Sequence, residues 1–170
     1  MALDALALDF TICLETPDLA QRILELTDRA FGPGRYVKTA ERLREGSHIL
    51  PDMSFVALRG DHLLGSVRMW PIEVREGEAC ERIAFLGPIV VDDASRGQGV
   101  GKALIHACVE AAFAKGLRAV LLVGTPGYFQ SFGFEKAKGI ILPGPVDPNR
   151  LMIRYSQPGL NFTGRVTKAV

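Results

Sequence analysis

Cysteine is scarce and unpaired: Cys13, Cys80 and Cys108 are far apart in 170 residues, with no CxxC. That excludes a disulfide framework and a cysteine zinc site, and it makes a reducing cytoplasm the simplest compartment. His48, His62 and His106 show no HxxxH spacing, so no metal is expected. Neither sign of charge is in excess. The 20 Lys and Arg against 19 Asp and Glu leave a formal net charge of +1, too little to draw nucleic acid or an anionic membrane surface. No apolar run is long enough to span a bilayer. The first ten residues, MALDALALDF, hold two Asp and no basic segment, and so make a poor signal peptide. A small-molecule enzyme and a protein-binding module both remain open. The composition, 48% hydrophobic and 23% charged, is that of a globular protein, and the length suits a single domain, 1–170, with its own core.

The pattern of elements begins with an alternating strand over residues 6–14. Thr16-Pro17-Asp18 then predicts a helix start, with a hydroxyl cap, Pro at the first position and an acid in the first turn. That helix carries Leu19, Ile23, Leu24 and Leu26 and stops near FGPGR; a short helix follows in KTAERLREG. SFVALRGDHLLGSVRMWPIEV reads as two strands about a Gly60-Asp61 turn, and ACERIAFLGPIVV as a third after the turn REGE. The order then changes to strand, crossover helix over 98–115, and strand in RAVLLVG, which implies a parallel pair with a right-handed crossover. A short helix in PGYFQSF and late strands in GFEKA and RLMIRY complete the chain, with LPGPVDP as a loop. In the long helix Lys102, His106 and Glu110 fall four apart and form one polar stripe, while Cys108 reads as core filler.

Two oddities adjoin each other. Pro88 stands inside a strand that otherwise reads as central, where a missing N–H is unwelcome. A bulge, or a separation from the next strand, would resolve this and would leave backbone groups of Ile89, Val90 and Val91 in need of a partner. An extended amide-bearing ligand could supply it. Next comes Arg96-Gly97-Gln98-Gly99-Val100-Gly101-Lys102, with three glycines in five residues at a helix start. A helix N-terminus offers unpaired N–H groups, and glycines let a phosphate approach closely. A bare turn would need neither the flanking cations nor the broken strand before it. Two phosphate motifs fail on spacing: Gly101-Lys102 is followed by Ala103 and preceded at the required place by Arg96, and no third glycine completes GxGxxG.

The segment resembles the Q/R-x-x-G-x-G/A signature of the GNAT superfamily of acyl-CoA-dependent N-acyltransferases. LGPIVV is similar to that family's splayed strand and YFQSFGF to its closing aromatic segment, above all in bacterial members with LGPLAV and GDPxYYxxFGF. The likeness covers nearly the whole chain. It implies a single α/β domain whose mixed, twisted sheet has a splayed central parallel strand pair and helices on both faces. It implies acetyl transfer from acetyl-CoA, as cosubstrate, to a primary amine by direct attack in a ternary complex. The acceptor would be a small molecule or peptide, without nucleic acid, membrane or metal, and the family admits a homodimer. Carried over, Ile89, Val90 and Val91 would pair with the pantetheine arm, and Arg96, Gly97, Gln98, Gly99, Val100, Gly101 and Lys102 would hold the pyrophosphate. The chain departs from the family at the usual general-acid tyrosine, where Phe129 stands; Tyr128, its neighbour, is the expected acid. Glu73 as a base and Arg68 with Trp70 as acceptor-pocket residues are weaker expectations beside ordinary strand packing. A catalytically silent acyl-CoA-binding domain and an interaction module are the alternatives.

Overall fold

A computed structural model describes residues 9–169 of the chain. The first strand, β1, is Thr11–Leu14; the earlier part of the expected strand lies outside the described residues. Helix α1 is Ala20–Phe31, entered through a 3-10 turn at Pro17–Leu19. The Thr16 hydroxyl does not cap that turn: it donates to the Asp18 carboxylate, the nearest strong acceptor. A 3-10 segment at Pro33–Val37 leads to α2, Thr39–Arg44.

Strands β2 (Phe55–Arg59), β3 (His62–Glu76) and β4 (Ala79–Val91) form an antiparallel meander, turning at Gly60 and Gly77 in the left-handed conformation. Helix α3 (Val100–Ala114) crosses to β5 (Ala119–Val123), which lies parallel to β4. A single-turn helix, α4 (Pro126–Phe129), then precedes β6 (Glu135–Lys136), β7 (Ile140–Ile141), β8 (Leu151–Tyr155) and β9 (Gly164–Lys168). All join one mixed sheet in the order β1-β2-β3-β4-β5-β8-β6, with β9 along the far half of β3 and β7 beside β9. The sequence reading anticipated neither β7 nor β9. GRVTK is short and mostly polar, and it becomes a strand only because residues 72–75 of β3 extend beyond β2 and leave an edge to fill.

Period-two alternation sorts the sheet into two faces. Ala84, Leu86, Val67, Met69, Val120 and Leu122 meet α3 through Leu104, Ile105, Cys108 and Val109. Ile83, Phe85, Ile72 and Leu121 meet Leu43 of α2 on the other, and Ile23 of α1 packs on Val56 of β2. Helices therefore cover both faces. Lys102, His106 and Glu110 are exposed on α3, and Cys108 is fully buried, which pushes its thiol pKa up to about 12 and leaves it unreactive near neutrality.

Candidate active site

Strand β4 breaks where Pro88 predicts. Val67 faces Ile89 and Met69 faces Leu86, so Gly87 and Pro88 together oppose Arg68, which is one extra residue and hence a bulge. The Trp70 indole secures it, Nε1 donating to the Gly87 carbonyl at 2.6 Å. The parallel partner is lost just before, since the β4–β5 register ends at Phe85 with Leu121. Asp92 N–H donates to the Leu64 carbonyl at 2.7 Å. By alternation Val90 also turns its peptide groups to β3, and those of Ile89 and Val91 face the gap. The gap is a cleft of about 320 Å³ between residues 86–89 and residues 122–125, reached by Tyr128 and Phe129 of α4.

The glycine turn follows a 3-10 turn at Asp93–Ser95. Gly97 (φ 79°) and Gly99 (φ 84°) are left-handed, a conformation that costs other residues about 1–2 kcal/mol, and a Cβ on either would meet nothing within 4 Å. Their outer face is open. Ala103 N–H is the first in α3 to reach a helical acceptor, Gly99 O at 3.0 Å. The amides of residues 97–102 find no backbone acceptor among the described residues. Gln98 Oε1 accepts from Arg59 Nη2 at 2.9 Å and ties the turn to β2. Arg96 pairs with Asp93 at 3.1 Å on the surface, and Lys102 is exposed.

Gly101 serves differently. A Cβ there would lie 2.8 Å from the Tyr128 hydroxyl oxygen and 3.6 Å from Val91 Cγ2. The missing side chain thus lets Tyr128 reach between the end of β4 and the start of α3. Tyr128 is 45% exposed, packs edge-on against Phe129 and Phe132 at 5.0 and 5.2 Å, and has its pKa raised by partial burial. Phe129 turns into the core, its ring so close to Gly124 that a Cβ there would lie 2.4 Å away. The two neighbours on α4 thus diverge: both rings line the cleft, but Phe129 lies against Gly124 and the Tyr128 hydroxyl reaches Gly101.

The acceptor-side expectations do not fit. Arg68 makes a bidentate pair with Glu15, at 3.0 and 2.6 Å, and Glu73 accepts from Arg75. Neither these residues nor Trp70 lines the cleft. Arg35, Lys38, Glu41, Arg44 and Arg150 line it instead. They come from the segment after α1, from α2 and from the loop before β8, and no local motif marks them. Among the described residues no cluster of His, Cys, Asp or Glu could hold a metal ion, and no helix is long and apolar enough to cross a membrane.

Residues 20–134 match the model of the acetyltransferase (GNAT) family. The N-acetyltransferase YhbS of Escherichia coli strain K12 is 30% identical over 127 residues, 74% of each chain. The crystal structure of E. coli YhbS in complex with CoA superposes with a TM-score of 0.76 at 26% identity, covering 96% of this chain and 91% of that one. A GNAT acetyltransferase from Brucella melitensis in complex with acetyl-CoA gives 0.69 at 25% identity, covering 95% and 96%. With the family signature lying on an opened strand and an open helix start, the match and the geometry agree: the chain belongs to the GNAT family of acetyltransferases.

Proposed function

We propose that this protein transfers the acetyl group of acetyl-CoA to a primary amine, with both substrates bound together. The observation that carries the reading is the free edge of β4. Ile89 turns peptide groups into the cleft and Val91 does so just beyond it, neither with a strand partner on that side among the described residues, beside a helix start whose amides also lack backbone acceptors there. A pantetheine arm has amides to pair with Ile89 and Val91, as an added strand would, while Val90 stays bound to β3 and keeps the edge straight. A pyrophosphate fits the open face of Gly97 and Gly99, within reach of the free amides of residues 97–102 and with Arg96 and Lys102 beside it. Charged hydrogen bonds there, about 1.5–3 kcal/mol each, outweigh the helix dipole at about 0.3–2 kcal/mol. The CoA and acetyl-CoA complexes of the two similar proteins support the same ligand here.

The chemistry asks little covalent work of the protein. The cleft holds amine and thioester in line, and proximity supplies much of the acceleration. The amine nitrogen bonds to the carbonyl carbon, the carbon–sulfur bond breaks, and the nitrogen's proton passes to water. The Tyr128 hydroxyl, held over Gly101 at the end of β4, gives its proton to the departing sulfur and is reprotonated from solvent.

The test is a titration calorimetry measurement with acetyl-CoA, followed by release of free CoA thiol across a panel of amines. Micromolar binding and amine-dependent thiol release are expected. Binding without release from any amine would leave a silent acyl-CoA-binding domain, and no binding would sink both readings.

A further inference from the structure

Beyond the transfer itself, and resting on that reading, we propose that the acceptor is a small amine carrying an anionic group, a carboxylate or a phosphate. The cleft is lined by four cationic side chains, Arg35, Lys38, Arg44 and Arg150, against one carboxylate, Glu41. The chain as a whole is nearly neutral, so this charge is concentrated here. It is also apart from the glycine turn, none of whose residues lines the cleft. The cations therefore do not serve the proposed pyrophosphate site.

Glu41 is already committed. Its Oε2 meets Arg35 Nη1 at 3.3 Å and Arg44 Nη1 at 3.1 Å, while Arg35 also pairs with Asp28 at 2.8 Å. Arg44 remains under-satisfied. Its side chain is only 12% exposed and stacks over Phe85 at 5.3 Å, and its Nε is buried with no hydrogen-bond partner among the described residues. Its only side-chain hydrogen bond among the described residues is the one from Nη1 to Glu41, and its Nη2 lies 2.7 Å from where a Cβ on Gly87 would stand, at the bulge where the cleft opens. Burial lowers its pKa, the direction expected of a desolvated cation. Lys38 and Arg150 are exposed and make no side-chain hydrogen bond or ion pair among the described residues. Both also line an adjoining cavity of about 300 Å³, so the positive surface continues outward from Arg44.

A carboxylate or phosphate suits this arrangement, since a guanidinium presents donors in a planar fork and a lysine adds a point charge. The same field works on the reacting end: neighbouring cations disfavour an ammonium, so an amine in the cleft is pushed toward the neutral form that can attack. A diamine shares the second effect but lacks the first, because its remaining ammonium meets like charge.

Matched acceptors test this. The kcat/KM values of γ-aminobutyrate and butylamine, of O-phosphoethanolamine and ethanolamine, and of putrescine are compared. At least one anionic amine is expected to exceed its neutral partner and putrescine by tenfold or more, and the pair that does so tells carboxylate from phosphate. Lys38→Gln and Arg150→Gln, both on the surface and compatible with folding, are expected to lower that value about tenfold each while acetyl-CoA affinity by calorimetry stays at the parent value. Neutral amines or putrescine performing as well, both variants leaving the anionic amine unaffected, or acetyl-CoA binding without turnover of any of the five would overturn the proposal. Loss of acetyl-CoA binding by the parent protein would instead remove the acetyl-transfer reading beneath it.

Discussion

At the scale of single residues, the decisive contact is that of Tyr128 with the space left by Gly101. The proposed role of Tyr128 as acid requires it to keep its proton, and partial burial favours this by raising its pKa above the ordinary 10.0. Tyr128→Phe removes the proton and little else, because the ring's edge-on contacts with Phe129 and Phe132 survive. The variant is expected to lose tenfold or more in kcat on a working amine, with little change in the KM for acetyl-CoA. The parent's kcat is expected to decline at alkaline pH only above 10, and the variant to lack that limb. A kcat within about threefold of the parent would show that water protonates the thiolate. A gain of rate in Phe129→Tyr would then mark the family position as vacant.

At the scale of elements, α3 is seated by a glycine that belongs to another strand. Gly65 of β3 has an ordinary backbone, so its role is one of space: a Cβ there would lie 2.8 Å from the Val90 carbonyl oxygen, 3.0 Å from Val100 and 3.1 Å from Leu104. The first turn of α3 therefore rests directly on the sheet, beside the part of β4 that offers its free edge. Gly65→Ala forces helix and strand apart, at about 1–3 kcal/mol for an overpacked core. A loss of unfolding free energy of that size is expected from urea denaturation, with a several-fold weaker affinity for acetyl-CoA because the helix start and the β4 edge no longer keep their spacing. Unchanged stability would mean that α3 sits more loosely than these distances imply.

At the scale of the whole molecule, the free edge of β4, the turn and the helix start all depend on the folded state, so any ligand that uses them stabilises it by mass action. A ligand at a hundred times its Kd adds about 2.7 kcal/mol. For a chain of this size that corresponds to roughly 2–4 °C in Tm per kcal/mol. CoA and acetyl-CoA are expected to raise the melting temperature by several degrees, and ATP and NAD far less, because the glycine spacing suits neither a P-loop nor a dinucleotide fold. A scan in which ATP or NAD shifts the transition more than CoA would overturn the ligand assignment.

The chemistry that resides in the backbone was legible in the sequence. Pro88 lacks an N–H wherever it stands, so a break in β4 followed from its identity alone. Gly97 and Gly99 at a predicted helix start announced a backbone open to close approach, and the alternation of strand, apolar helix and strand determined a parallel pair and its crossover. Phe129 and Tyr128 could be named as rivals, but only the fold separated them, since one turn of helix sends the first under Gly124 and the second over Gly101. Strand β9 was illegible for a related reason: its strand character comes from an edge of β3 about ninety residues earlier, not from its own five residues. So was the cationic cleft. Arg44, Gly87 and Arg150 are brought together by α2, β4 and the loop before β8, and a side chain's charge carries no record in the sequence of which distant backbone it will face.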